Sequence, residues 1–440
     1  MHKCGFIDIL KIRSIRAMKF RKTGIGILLV LLATAAVGAE EKVLTIDDAV
    51  KYALENNISL QESKVTFDAL KRTKDFSWNS ISPTLTGTAG YTRPNEKTTY
   101  EYEGYIEGTI SLSLTPALYS TMRAALLNYE NGKITYDEAV RSVELSVRTA
   151  FYDLLYEKVY IVLQQRNLDT AKKQYEQNVV KYKSGQVSEL DMLTSQVTYE
   201  KLKPTLESAL VSYNNSLASF KQVLGIDQNT DISLSGTLDD VLALKDISLA
   251  ENSSSVPAIL AAEKEVEIAK NSLLAERFSA YAPSVSAEWI YGKIKTDLSD
   301  TLSAAGSVTL AVSIPLDGYL PWSTGAQSVA SGKDSVKKAE LSLADEKTTA
   351  AVNIASYLNQ IKQAQSQLQA LQTNIDLAQK TYDMTLAAYN HGSKDLLSLQ
   401  DAADSLLEAK VDLESEKYTL ISAVLNLEST LGVPFGTLGK

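Results

Sequence analysis

The chain writes one layout twice. Residues 182–193 read YKSGQVSELDML and residues 389–400 read YNHGSKDLLSLQ, which pairs Tyr182 with Tyr389, Gly185 with Gly392 and Leu190 with Leu397 at an offset of 207. The same offset pairs Ala171 with Ala378, Lys173 with Lys380 and Tyr175 with Tyr382 upstream, and Leu224-Gly225 with Leu431-Gly432 downstream. Nearer the start the offset is about 200, where Pro83 matches Pro283 and Pro116 matches Pro315. An internal repeat constrains a fold more than any local pattern, because whatever unit one half forms the other forms too.

Each half changes its hydrophobic period in the same order. Asp47 to Ser80 is helical, opened by the capping signal Thr45-Ile-Asp-Asp and stopped by Pro83. Residues 84–92 then alternate, with Leu85, Gly87, Ala89 and Tyr91 against Thr84, Thr86 and Thr88. Residues 105–114 alternate again, with Ile106, Ile110, Leu112 and Leu114 against Glu107, Thr109, Ser111 and Ser113. In the second half Val285, Ala287, Trp289 and Tyr291 oppose Ser284, Ser286 and Glu288, and Val308, Leu310, Val312 and Ile314 oppose Ser307, Thr309 and Ala311. A period of two with one apolar and one hydroxyl-rich face predicts half-buried strands. About ten residues is the length of a tilted strand that crosses a bilayer.

After Pro116 and Pro315 the period becomes helical for about 65 to 75 residues. Ile361, Ala364, Leu368, Leu371, Ile375, Ala378, Tyr382, Thr385 and Tyr389 step by three and four, as do Val140, Val143, Val147, Ala150 and Leu154. Sustained heptads predict coiled coil. The break at Gly185 or Gly392, with a new helix at once, predicts an antiparallel hairpin. Pro204 is expected to kink the first returning helix, where the second half has Val411. The predicted organisation is a leader over 1–39, a first repeat over 40–225, a linker over 226–255, a second repeat over 256–432 and a tail over 433–440.

The leader sets the compartment. A basic stretch from Met18, an apolar run from Gly24 to Val37 and small residues before Glu40 make a secretory signal, with Met18 the expected true start. Removing residues 1–39 leaves 37 basic against 52 acidic residues, a formal charge of −15. That balance argues against nucleic acid. Cys4 and His2 leave with the signal, so no disulfide, thiolate metal site or acyl-cysteine anchor is expected, and His391 is the single imidazole. It sits at a turn without a second ligand or a nucleophile. No catalytic residue, metal or cofactor is predicted.

Four membrane-length strands cannot close a barrel, and an open edge in hydrocarbon leaves costly unpaired backbone groups. Other copies of the chain must complete the sheet. The helices carry Lys, Glu, Asp and Gln on their outer faces, so they continue into water. The predicted class is therefore mainly α with a small β part: a long coiled-coil helical barrel plus a membrane β-barrel completed by other copies of the chain, internally duplicated. Thr84, Thr86, Thr88, Glu107, Thr109, Ser111, Ser113, Ser286 and Glu288 are expected to line the barrel lumen. Trp289, Tyr291 and Tyr105 are expected near strand ends, where an aromatic belt would sit.

The opening LTIDDAVKYALENN at 44–57, the proline-bounded strand pairs and the duplicated Tyr-x-x-Gly tips with Leu190 and Leu397 resemble the TolC family of outer-membrane efflux and export channels. The resemblance covers essentially all of the chain after the leader. It implies a homotrimer in outer-membrane lipid with a twelve-stranded barrel, joined through a periplasmic adaptor to an inner-membrane pump. It also implies docking at the tips, at Gly185, Val187, Ser188, Gly392 and Ser393. Aligning the tip glycines puts Asp401 on one carboxylate of the family's entrance ring and Ser398 where a second would stand. It sets Asp191 opposite Lys394 and Tyr389 as a constriction pair, so these four residues are the expected periplasmic gate. The alternative reading is a structural or adaptor coiled-coil protein of the periplasm, which would need no alternating strands.

Overall fold

The computed structural model describes residues 42–92, 103–241, 256–295 and 303–438. The expected leader and the linker from residue 242 onward lie outside them. In chain order the elements are β1 (Lys42–Leu44), α1 (Ile46–Asn56), α2 (Ile58–Asp75), β2 (Thr84–Thr92), β3 (Glu103–Leu114), α3 (Ala117–Lys183), α4 (Glu189–Leu224), β4 (Ile232–Leu234), α5 (Pro257–Tyr281), β5 (Ser284–Lys295), β6 (Ser303–Ser313), α6 (Thr324–Asn390) and α7 (Leu396–Leu431). A 3-10 turn at Ser77–Ile81 leads into β2, and another at Asp317–Tyr319 precedes α6.

The duplication is metrical. Both α3 and α6 have 67 residues and both α4 and α7 have 36, with every end of one hairpin 207 residues before its counterpart. Sequence chemistry sets those ends. Ser188 and Asp191 form a reciprocal capping box at the start of α4, and Asp395 caps α7 through the Ser398 amide. Gly225 and Gly432 close the two helices in the left-handed region, at φ 70° and 72°. At 1.5 Å per residue, 67 residues extend on the order of 100 Å.

The helices lie side by side. α3 packs on α2 and α5 along its first part and on α4 and α7 along its second, while α6 packs on α5 and α7. Two helices therefore run the full length and two are broken midway. At one break Asn57 Nδ2 donates to the Val223 carbonyl at 2.7 Å, and a Cβ on Gly225 would lie 2.5 Å from the Asn56 oxygen. At the other, the Arg141 guanidinium donates to the carbonyls of Val433 (2.7 Å) and Gly432 (2.8 Å), satisfying the end of α7. The main core sits at this level. It joins Val147, Phe151 and Leu154 of α3 to Phe220 and Leu224 of α4, Ala49, Val50 and Ala53 of α1, and Ile421 and Leu425 of α7. The parallel pair β1–β4 covers it. Glu428 is fully buried there, its two oxygens accepting the amides of Gly436 and Leu438 and so strapping the tail down.

Four expectations need correction. The helix read from Asp47 to Ser80 is two helices and a 3-10 turn, because Asn57 caps α2 with its side-chain oxygen while holding Val223 with its nitrogen. α6 begins nine residues after Pro315, because the Asp317–Tyr319 turn intervenes. The linker contributes β4, too short for a period to reveal. Trp289 lies mid-strand, because β5 runs on to Lys295. No described helix is long and apolar enough to cross a membrane.

Candidate channel wall and hairpin tips

The four long strands form one antiparallel sheet in the order β2-β3-β5-β6. Directly opposed residues share a face, so register decides what each side presents. One row runs Thr84, Ser111, Glu288, Thr309; the next runs Thr86, Thr109, Ile290, Ser307; Thr88 opposes Glu107; and Ser113 opposes Ser286. All nine residues expected in the lumen thus fall on one face, and the Thr84 and Ser111 hydroxyls meet at 2.6 Å. The opposite face carries Leu85, Ile110, Trp289 and Val308 in one row and Ala287, Leu112 and Leu310 in another. Strands β2 and β6 are each paired on one side only.

Where the strands meet the helices, large apolar side chains stand in solvent. Phe76 precedes the turn before β2 and Trp78 and Ile81 lie in it, while Ile314, Leu316, Tyr319, Leu320 and Trp322 occupy the connection after β6, with Trp322 82% exposed. Amphipathic rings at such a level match a bilayer interface. These residues were not read as a belt because they sit at the ends of the periodic patterns or in the connections between them.

The tips are five-residue turns, 184–188 and 391–395. Gly185 and Gly392 adopt φ of 72° and 73° with open space around a virtual Cβ, so backbone geometry alone asks for glycine. Leu190 and Leu397 are exposed beside them, at 72% and 62%. Val187, Ser188 and Ser393 complete the two turns.

Within one chain, Tyr389 and Asp191 each take another partner. The Tyr389 hydroxyl donates to Asn178 Oδ1 at 2.8 Å, where both residues are buried, and Lys181 sits 4.9 Å over the Tyr389 ring. Burial raises the Tyr389 pKa above its ordinary 10.0, and the Asp191 charge adds to that while the Asn178 bond opposes it. The hydroxyl is therefore a neutral donor. Asp191 Oδ2 accepts from the Ser188 hydroxyl at 2.7 Å, because the capping box claims it before Lys394 can. Lys394 and Asp401 are exposed. A second bond links the hairpins farther from the tip, Gln400 Nε2 to Thr198 Oγ1 at 2.7 Å. Asn178 and Gln400 were missed because amides at heptad positions read as ordinary coiled-coil polar residues.

A family model described as outer membrane efflux protein matches residues 49–226 and 249–433. The chain belongs to this family. Its members are channels, and the chain is accordingly an outer-membrane channel protein of the TolC type with a long periplasmic helical part. It is 20% identical to the outer membrane protein TolC of Escherichia coli (strain K12) over 396 residues, covering 86% of this chain and 80% of that one. It is 23% identical to the alkaline protease secretion protein AprF of Pseudomonas aeruginosa, covering 81% and 74%. Its fold is similar to that of the Campylobacter jejuni CmeC outer membrane channel, with a TM-score of 0.77 at 19% identity over 90% of this chain and 86% of that one. CusC is similar at a TM-score of 0.76 and 17% identity, covering 88% and 92%.

Proposed function

We propose that three copies of the chain assemble into one duct that passes substrates from a periplasmic adaptor and inner-membrane pump to the exterior. The observation that carries this reading is a four-stranded sheet of membrane-length strands with both edges unpaired, continuing into helices of 67 residues. Unpaired edges in hydrocarbon cost several kcal/mol for each unsatisfied group, which favours closure by further copies. Three copies supply twelve strands, and the family resemblance favours that number.

In this duct Thr84, Thr86, Thr88, Glu107, Thr109, Ser111, Ser113, Ser286 and Glu288 line the lumen, and the row of Leu85, Ile110, Trp289 and Val308 faces lipid. The turns at Gly185, Val187 and Ser188 and at Gly392 and Ser393 receive the adaptor. Asp191, Tyr389, Lys394 and Asp401 surround the periplasmic entrance. Three Asp401 carboxylates facing one another favour cations. No catalytic role is assigned to any residue.

The test is twofold. Detergent-extracted protein is expected to be a cyclic homo-oligomer by light scattering, and a monomer with intact strand content would overturn the assembly. Cysteines at Thr86, Thr109 or Ser286 are expected to react with impermeant thiol reagents while those at Leu85, Ile110 or Leu310 do not. The reverse pattern inverts the faces.

A further inference from the structure

The outward face of the sheet, which carries Leu85, Ile110 and Trp289, changes chemistry along its length. Next to the helices it is apolar, with Val285 opposite Leu114 and Val312. The alternation that places Val285, Ala287, Trp289 and Tyr291 outward brings Lys293 to the same face near the far end of β5, exposed, opposite Ile106 and Ala304. Lys295, two positions on, stands opposite Gly104. These two lysines are the only charged residues at outward positions of the described strands. The inward positions carry the carboxylates of Glu107 and Glu288, and the whole chain has a net charge of −9. The outward cations therefore run against the charge of the chain that bears them.

Their depth suits a headgroup. Lys293 pairs with Ala304, which lies four residues from Val308, the middle residue of β6. At about 3.3 Å per residue and a tilt of about 40°, Lys293 stands about 10 Å beyond that middle, just inside the edge of a ~25 Å apolar band. The lysine stem covers the remaining distance and delivers the ammonium to the polar layer. Because the helices lie in the periplasm, this far end of β5 belongs to the outer leaflet.

Beside Lys293 the wall is notched. The next row towards the helices runs Gly87, Gly108, Tyr291, Gly306. The Tyr291 ring leans over Gly306, where a Cβ would meet its Cδ2 at 3.3 Å. The other side is left bare: a Cβ on Gly87 would have nothing within 4 Å, and one on Gly108 only the Tyr291 carbonyl oxygen at 3.9 Å. Neither glycine has a positive φ, and the register runs through both without a bulge. Glycine inside a regular strand weakens it, and marks a place where another molecule approaches closely.

We infer that this end of the outward face docks a phosphorylated glycolipid of the outer leaflet, with Lys293 on a phosphate and an acyl chain in the notch over Gly87 and Gly108. The site rests on the reading of this face as lipid-facing. An ammonium on a phosphate makes charge-assisted hydrogen bonds, and the adjoining row supplies Tyr91, 67% exposed, as an aromatic surface at the level of the sugars.

The test is native mass spectrometry of the intact assembly, released from neutral detergent in the presence of diphosphoryl lipid A. Lys293→Gln is expected to weaken lipid A retention about fivefold per site, the effect of removing one cation beside an anionic headgroup. Lys293→Arg keeps the charge and is expected to retain the lipid. Gly108→Leu fills the notch and is expected to weaken retention with Lys293 in place. Lys133 is exposed on α3, and Lys133→Gln is expected to change nothing. Equal loss in Lys133→Gln, or phosphatidylglycerol held by the parent as tightly as lipid A, overturns the site. Retention unaffected by both Lys293→Gln and Gly108→Leu, with cysteines at Leu85 and Ile110 still shielded from impermeant thiol reagents, overturns the site and leaves the channel wall standing. Reaction of those cysteines overturns the reading of the face, and the site with it.

Discussion

Val308 and Thr309 are neighbours on β6 with opposite assignments, so an arginine placed at each in turn separates the two faces of the wall. Val308 is the middle residue of Ser303–Ser313 and stands in the row of Leu85, Ile110 and Trp289, itself 73% exposed. A strand of this length tilted in a barrel spans an apolar band of about 25 Å, which puts Val308 near the bilayer midplane. An arginine on the lipid face at that depth costs about 2–4 kcal/mol per chain, or roughly 30- to 900-fold in the insertion equilibrium. Thr309 shares its row with Thr84, Ser111 and Glu288, so Thr309→Arg points into water beside a carboxylate and costs close to nothing. The assay is the fraction of urea-unfolded protein that inserts into lipid vesicles on dilution, read by protection of the strands from protease. Val308→Arg is expected to lose most of its insertion and Thr309→Arg to keep it. Full insertion of Val308→Arg with failure of Thr309→Arg would refute the assignment of faces.

Phe151 is 2% exposed and touches the rings of Tyr152 and Phe220 at the level where α4 and α7 end. Phe151→Ala should destabilise the periplasmic part by about 3–5 kcal/mol, seen as faster proteolysis near residues 224 and 432 with the membrane sheet still protected. Glu138 is held above its ordinary 4.5 by burial and then by the Glu346 carboxylate, against the pull of Arg141. A raised carboxyl pKa means the folded state binds the proton more tightly, so its stability falls as pH rises through the window from 4.5 to the folded value. Glu138→Gln should therefore melt higher than the parent at about pH 8, with the difference gone by about pH 4. At the tips, Gly392→Ala should cost about 1–2 kcal/mol for its left-handed backbone. Val187→Trp and Ser393→Trp carry no such penalty and should leave assembly intact while abolishing export. Unchanged export in both would remove the tips as a docking surface.

Much of this architecture was legible because it is periodic. Alternation from Thr84 to Tyr91 and from Val308 to Ile314 states both faces of a strand, and register then places Thr86, Thr109 and Ser307 together without further information. The tip glycines were legible because a left-handed turn leaves few other choices. What stayed hidden depends on partners distant in sequence. Asn57 is an unremarkable helix residue until Val223 lies beside it, and the two short strands that cover the core pair Val43 with Ser233 across most of a repeat. The gate shows the same limit. Aligned glycines bring Asp191 and Tyr389 to one level, but whether Tyr389 takes Asp191 or Asn178 depends on the rotation of two helices about their axes. Asp191 was already committed by its own capping box, a local signal (Ser188 followed three residues on by an acid) that sequence alone displays.

The shared barrel is open to one decisive measurement. In the order β2-β3-β5-β6 the outer strands lie three interstrand steps apart, about 14 Å, well beyond the roughly 7 Å limit for a disulfide. Cysteines at Thr86 or Thr88 on β2 and at Ser307 or Thr309 on β6 therefore cannot bridge within one chain. In a chain with serine at Cys4, oxidation in native membranes is expected to yield covalent dimers and trimers and nothing larger. Failure of every such pair to form a bond between chains, in protein that is folded and membrane-inserted, would contradict a barrel built from several copies.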